Sequence, residues 1–393
     1  GNVAFEKDSG GRVLVGFTDL SSTLEDAGGN DLLQISNGSG GFVWTDSDFF
    51  GTATVDLSTS IPGVASIGGT FQLDINASSS AQSETIEVAD VGSVVIDLPA
   101  GPYLRVAGIG ASLTLELGAI NQTISGDVTF ERQDTSEGRV VSVGFTNIST
   151  SFENPNTSTL LLSITNGSGA FVFDDTGVAG VVENVDITTG PALAGKFSLS
   201  GAFGLELNTR PDAVDTSVTV LQADDSSTSI NIDVPAGDYL RVAGSGASIG
   251  ITVSGFTQSV TADFAIEQFT DIVSGNRQLK IGVSNASATF SAGTLGLTLS
   301  GGSGAFLVTD AGIAGSAAVT TVMPTGLPSS ITVNATNLKL EFNNTGADVA
   351  ETEISTSLDP GSTTTIEFVG DYYHNYLAVR GSAEIIVGPA GSP

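Results

Sequence analysis

Carboxylates are the side chains in this chain best placed to do chemistry, and they recur. Asp46, Asp175 and Asp310 close three matching stretches, "FVWTD", "FVFDD" and "FLVTD", and Asp48 stands two residues beyond the first. Calcium takes six to eight oxygens from carboxylates and carbonyls, so Asp46, Asp48, Asp175 and Asp310 are candidate Ca2+ ligands. No "DxDxDG" loop or glycine-aspartate nonapeptide repeat accompanies them. The competing reading is a repeated salt bridge. Asp97 and Asp233 stand eight residues before Arg105 and Arg241, and Glu367 occupies the matching place before Arg380. An odd-length hairpin loop would put each pair on one face of a sheet.

A second group is aromatic. "DYYHNY" holds Tyr372, Tyr373, His374 and Tyr376, an insertion that suits contact with a carbohydrate or a cell-surface ligand, because sugar rings stack on aromatic faces. Trp44, Phe49 and Phe50 are further candidates. Trp44 matches Phe173 and Val308 elsewhere in the chain, which predicts a core position for it. Catalysis has little material. His374 is the only histidine and there is no cysteine, so neither a repeated Ser-His-Asp constellation nor thiol chemistry can be built. The Gly-rich "NGSGGF" lacks the Lys-Ser/Thr and helix that a phosphate-binding loop needs, and predicts a bulge in a long strand instead. The expectation is that the chain is not an enzyme.

These residues sit in a chain of 43 acidic and 12 basic residues, with a formal charge of −31. Such a surface repels nucleic acid and anionic membranes. No run approaches the roughly 18 apolar residues of a membrane helix. The chain opens with Gly rather than Met and carries no secretory leader, which points to a processed protein or an excised piece. Gly numbers 50, charged residues make up 14% and apolar residues 40%, the last arranged as short β-branched runs such as "SVVIDLP" and "SINIDVP". No window shows a capped helical period. The fold class is all-β.

The chain copies itself. "GNVAFE", "GDVTFE" and "ADFAIE" open three units, expected at 1–125, 126–261 and 262–393. Each continues through "NGSGGF", "NGSGAF" or "GGSGAF", then "FQLDIN", "FGLELN" or "KLEFNN", and ends with "YLRVAG", "YLRVAG" or "YLAVRG". The tyrosines Tyr103, Tyr239 and Tyr376 lie 136 and 137 residues apart, the span of a whole domain rather than a solenoid coil. In the third unit the arginine moves by two letters, to Arg380. Side chains alternate in a strand, so that shift keeps its face. Leu104 with Val106, Leu240 with Val242 and Leu377 with Val379 are then predicted to face the core. Residues 111–131 and 247–267 read as hairpins that straddle the unit boundaries. The expected architecture is three tandem antiparallel β units, either separate sandwiches or one continuous twisted sheet, forming an elongated rod. Its first and last strands would be open to further copies.

The strings "NGSGAFVFDDTGVAG", "PAGDYLRVAGSGASI" and "GDVTFE" resemble the tandem repeats of giant, acidic, cysteine-free bacterial surface and adhesin-like proteins, including those with an LEPR-XLL segment. The likeness spans essentially all 393 residues. It implies an extracellular, cell-surface location and a spacer, stalk or filament role, and it carries over no functional residues.

Overall fold

The computed structural model describes residues 1–25, 31–61, 65–88, 92–117, 120–135, 138–153, 157, 159–223, 226–253, 256–270, 277–359, 361–366, 368 and 375–388. They form 24 strands, and one 3-10 turn at Pro191–Leu193 is the only helical segment among them. The strands are β1 (Asn2–Lys7), β2 (Val13–Glu25), β3 (Asp31–Trp44), β4 (Phe49–Ile61), β5 (Ala65–Asn76), β6 (Gln82–Val88), β7 (Gly92–Leu98) and β8 (Tyr103–Leu117). They continue with β9 (Ile120–Thr135), β10 (Gly138–Glu153), β11 (Leu160–Asp174), β12 (Gly177–Thr189), β13 (Phe197–Asn208), β14 (Val214–Leu221), β15 (Ser227–Val234) and β16 (Tyr239–Val253). The last eight are β17 (Phe256–Thr270), β18 (Arg277–Ala292), β19 (Leu295–Thr309), β20 (Gly312–Thr325), β21 (Ile331–Asn343), β22 (Thr352–Ser355), β23 (Thr363–Ile366) and β24 (Tyr376–Val387). No helix among the described residues is long and apolar enough to cross a membrane.

The chain divides into two compact units, one of residues 1–157, 164–181 and 214–233, the other of 158–163, 182–213 and 234–393. In the first, antiparallel pairing runs β1–β2–β3–β4–β5–β8–β9–β10. In the second it runs β13–β16–β17–β18–β19–β20–β21–β24. With β11 and β12 these strands make one open, eighteen-stranded antiparallel sheet, and three two-stranded hairpins, β6–β7, β14–β15 and β22–β23, complete the fold. The hairpins expected over 111–131 and 247–267 are β8–β9 and β16–β17.

Each small hairpin lies on one face of the large sheet. Its strands alternate buried and exposed residues, as period-two side-chain geometry requires. Ile86, Ile96 and Leu98 pack with Leu14, Val43 and Phe50 in the first unit. Ile354 and Ile366 pack with Ala305 and Leu307 in the second. Glycine in the sheet makes these approaches close. A Cβ at Gly16 would sit 2.8 Å from Ile86 Cγ2, and one at Gly144 would sit 2.6 Å from Val220 Cγ2.

The other face is open, and here two expectations are corrected. Tyr103, Ala107, Tyr239 and Ala243 are buried on the hairpin-bearing side, the side that also carries Arg105 and the buried Arg241. Val106, Leu240, Val242, Leu377 and Val379, expected in the core, stand exposed on the opposite face, with Leu104 half-buried beside them. The reason is that the covering hairpin returns over the arginine side, leaving the Leu/Val side uncovered. Trp44, also expected in the core, is exposed on that open face, 5.0 Å from Phe49 between ring centroids. Phe50, one residue on and pointing the other way, is the core residue. Cross-strand rows on the open face are apolar through the second unit: Leu205, Val242, Ile266, Ile281, Phe306, Gly315, Phe342 and Leu377 are successive partners.

The "NGSGGF" string is a bulge. The β3–β4 register shifts between Ser36 and Ser39, and Asn37 takes a left-handed φ of 51°. A glycine-aromatic pair follows it: Phe42 is directly opposite Gly51 on β4, and its ring occupies the space a Cβ there would need.

Candidate functional site

Of the side chains singled out in the sequence, Arg105, Arg241 and Arg380 each join a carboxylate in an ionic cluster, so that three such clusters stand among the described residues. In the first copy, Asp74 on β5 lies directly opposite Arg105 on β8. The guanidinium reaches Asp74 Oδ2 through Nη2 at 2.5 Å and Nε at 2.7 Å. Thr52 Oγ1 donates to Asp74 Oδ1 at 2.5 Å, and Gln72 Nε2 donates to both oxygens. Tyr103, two residues before the arginine on the same face, donates to Glu131 Oε2 at 3.0 Å across the β8–β9 ladder.

The second copy places Glu206 opposite Arg241, with Nη1 2.5 Å from Oε1 and the Tyr239 hydroxyl donating to Oε2 at 3.1 Å. Arg241 also donates to the carbonyl oxygens of Ser357 and Leu358, so the residue is almost fully buried. In the third, Arg380 and Lys339 both engage the buried Glu341, Lys339 at 2.8 Å. Tyr376 donates to Glu341 at 3.2 Å and accepts from Arg380 at 2.6 Å. Arg380 thus stays on the face of Arg105 and Arg241 despite its two-residue displacement.

The electrostatics follow from burial and pairing. Burial pushes the Glu341 carboxyl up, but the hydrogen bonds and charges of Lys339 and Arg380 outweigh it and hold the group below its ordinary value. Burial raises the phenols of Tyr103 and Tyr239 far above their ordinary value, so both remain protonated donors. Glu206 and Glu341 each hold one or two cations and a neutral phenol, whereas in the first cluster Asp74 holds Arg105 and the Tyr103 phenol goes to Glu131; each arrangement is a lock on strand register, since a one-residue slip would send each partner to the opposite face. A cavity of about 220 Å³ opens beside the second cluster, lined by Glu183, Asn184, Glu206, Arg241 and Asp359 among others.

The pairing partners differ from those expected. Arg105 engages Asp74 and Arg241 engages Glu206, whereas Asp97 and Asp233 are exposed on the outer faces of β7 and β15. Those strands belong to the small hairpins, so the short loop between β7 and β8 joins two different sheets and cannot set up a cross-strand pair. Glu367 lies outside the described residues, as do Tyr372, Tyr373 and His374. The acids proposed for calcium are divided among separate hairpin turns. Asp46 and Asp48 lie in the β3–β4 turn, Asp175 in the β11–β12 turn and Asp310 in the β19–β20 turn. Among the described residues no group of three or more His, Asp or Glu is placed to hold a metal ion.

Two polar devices escaped sequence reasoning. Asn76, Asn208 and Asn343, at the ends of "FQLDIN", "FGLELN" and "KLEFNN", are buried. Each amide donates to a backbone carbonyl four residues on, at Ser80, Asp212 and Ala347, by 2.8, 2.9 and 2.9 Å. Each side-chain oxygen accepts a backbone N–H two residues on. They fix the exit from the large sheet into the small hairpin. The second device ties bulges together. Asn147 and Asn285, both left-handed, donate to Asp127 and Asp263 at 2.9 and 2.6 Å, and those carboxylates accept the N–H of the left-handed Gly110 and Gly246. In the first copy the chemistry is exchanged: Asn2 donates to Asp19 at 3.3 Å. The recurrence of each asparagine, and the Asn/Asp exchange, were the available signals. No family model matches the chain, and no curated protein or solved structure does either.

Proposed function

We propose that this chain is a structural repeat segment of an extracellular bacterial stalk, adhesin or filament protein, in which tandem β units at 1–125, 126–261 and 262–393 make a stiff, elongated spacer and assembly module. The observation that carries the reading is the threefold recurrence of one device. A Tyr and an Arg held by carboxylates, on one acid in the second and third cases and on two in the first, a buried Asn at the hairpin exit and a glycine under each hairpin occupy matched positions, and all of them act on strand register and hairpin docking. Chemistry repeated in every copy and spent on register suits a molecule whose product is length and rigidity. The acidic surface keeps such a module wet and apart from nucleic acid and anionic lipid. Small-angle scattering tests it. A compact 393-residue chain has a radius of gyration of about 21 Å; the spacer reading requires a value above about 30 Å, and a value near 21 Å refutes it.

One observation favours a second reading, a carbohydrate- or surface-binding module. Trp44 lies exposed on the open face with Phe42 and Phe49 stacked beside it, a platform of the kind sugars bind. Glycan-array binding abolished by Trp44→Ala supports that role, and silence of the intact chain removes it.

A further inference from the structure

We infer that β24 of one copy of this chain receives β1 of a second copy as its next strand, antiparallel, with Val379 opposite Phe5, Ala378 opposite Glu6 and Leu377 opposite Lys7. The inference rests on the assembly reading above and supplies its joint. Two such joints exist inside the chain. In β8–β9, Val106 lies opposite Phe130 and Arg105 opposite Glu131. In β16–β17, Val242 lies opposite Ile266 and Arg241 opposite Glu267. β24 carries "YLAVRG" where β8 and β16 carry "YLRVAG", and β1 carries "NVAFE" where β9 and β17 carry "DVTFE" and "DFAIE". Both halves of a third joint are therefore present at the two edges of the open sheet. Among the described residues β1 pairs with β2 alone and β24 with β21 alone.

Exposure shows what each edge lacks. Phe5 is 71% exposed, against 37% for Phe130 and 37% for Ile266 at the same place inside the sheet. Val379 is 73% exposed, against 40% for Val106 and 37% for Val242. One missing neighbouring strand accounts for both differences. The polar side agrees. The Arg105 and Arg241 side chains are 20% and 4% exposed, Arg241 being covered by the β22–β23 hairpin at Ser357, whereas Arg380 is 43% exposed. An incoming copy brings its own β6–β7 hairpin to that side. Glu6, in the place of the Glu131 that accepts from Tyr103, is exposed on β1. β24 has no left-handed residue where Gly110 and Gly246 stand, so the register is assigned to the Leu377–Val379 half of the joint. The contact is heterologous and unpaired strand edges are ready templates for it, so it propagates into a filament.

The chain has no cysteine, so Phe5→Cys with Val379→Cys introduces the only two thiols. Under oxidation the full chain is expected to give a ladder of covalent oligomers, while Phe5→Cys with Ile385→Cys, six residues off register, stays monomeric. As a second measurement, Leu377→Lys faces Lys7 with a like charge and Leu377→Glu faces it with an opposite one. Sedimentation should show the Glu variant associating about fivefold more tightly, with the order reversed in a Lys7→Glu background. No ladder, equal ladders from both pairs, or indifference to the charge at Leu377 overturns the joint. A monomer that keeps a large radius of gyration removes the joint and leaves the spacer reading; a compact radius removes the spacer reading itself.

Discussion

Alanine at Gly51, Gly180 or Gly315 is a one-atom test of how this sheet is held. Each glycine faces a phenyl ring on the neighbouring strand: a Cβ would lie 2.2 Å from Phe42 Cδ1, 2.2 Å from Phe171 Cδ1 and 2.5 Å from Phe306 Cδ1. The same Cβ would lie 2.4, 2.6 and 2.5 Å from the carbonyl oxygens of Gly41, Ala170 and Ala305. The ring can rotate away, but the carbonyl belongs to the ladder and moves only if the strands part by several tenths of an ångström. Overpacking of this kind costs about 1–3 kcal/mol. For a cooperative unit of 150–250 residues that is a fall in Tm of about 2–12 °C. The control is Gly388→Ala, where no atom lies within 4 Å of the new methyl. Thermal unfolding by circular dichroism reads the effect. Adding Phe42→Ala to Gly51→Ala should recover part of the loss, because the ring clash goes and the carbonyl clash stays. If all three alanines melt within 1 °C of the control, or if Phe42→Ala recovers nothing, the glycine-aromatic pairing is not what sets the strand spacing.

Truncating the small-hairpin cores, by Ile96→Ala or Ile366→Ala, should cost about 2–4 kcal/mol in denaturant melts, since both side chains are wholly buried. Arg241→Ala should destabilise more than Arg380→Ala in the same assay, because Arg241 is enclosed by Glu206 and the Ser357 carbonyl while Arg380 is nearly half exposed. Asn147→Asp sets a second carboxylate against Asp127 and should lower Tm; adding Asp127→Asn rebuilds the exchanged pair seen at Asn2 and Asp19 and should restore much of it. Acid should unfold the chain through the same carboxylates. Hydrogen bonds from Arg12 hold Asp8 low, those from Thr70 and Asn37 hold Asp56 low, and those from Arg132 and Arg139 hold Asp134 low, with Glu341 held low by Lys339 and Arg380 against its burial. Folded values below unfolded ones mean that the unfolded chain takes protons first. The stabilisation is complete above about pH 5 and drains as pH falls through about 4, so Tm should be flat from pH 7 to 5 and drop below that. A Tm that rises on acidification refutes the assignment.

Strand positions, the β8–β9 and β16–β17 hairpins and the bulge at "NGSGGF" were legible because alternation, turn residues and repetition are local signals. The one-sided covering of the sheet was not. Val106 and Ala107 are both apolar neighbours, and nothing within "YLRVAG" says that the small residue goes under the hairpin and the larger one outward. That outcome depends on where β14, about a hundred residues further on, packs against β8, a long-range fact. The same gap explains the missed partner of Arg105. Sequence nearness favoured Asp97, but the strand that hydrogen-bonds to β8 is β5, which brings Asp74. Asn76 was readable in principle, since it recurs at Asn208 and Asn343, yet its role depends on a loop whose path only the fold reveals.

The hairpins that cover the sheet also set a timetable. Each returns to strands made long before it: Glu84 meets Arg12, 72 residues earlier, Leu221 meets Thr129 after 92, and Thr356 meets Ser284 after 72. A ribosome adding about 5–20 residues per second leaves the early strands of each copy bare for several seconds before their cover emerges. During that interval Leu14, Val43 and Phe50 have water where Ile86 and Ile96 will later be. A nascent chain of this design therefore gains from slow encounter with its siblings, and its dense negative charge works in that direction through mutual repulsion.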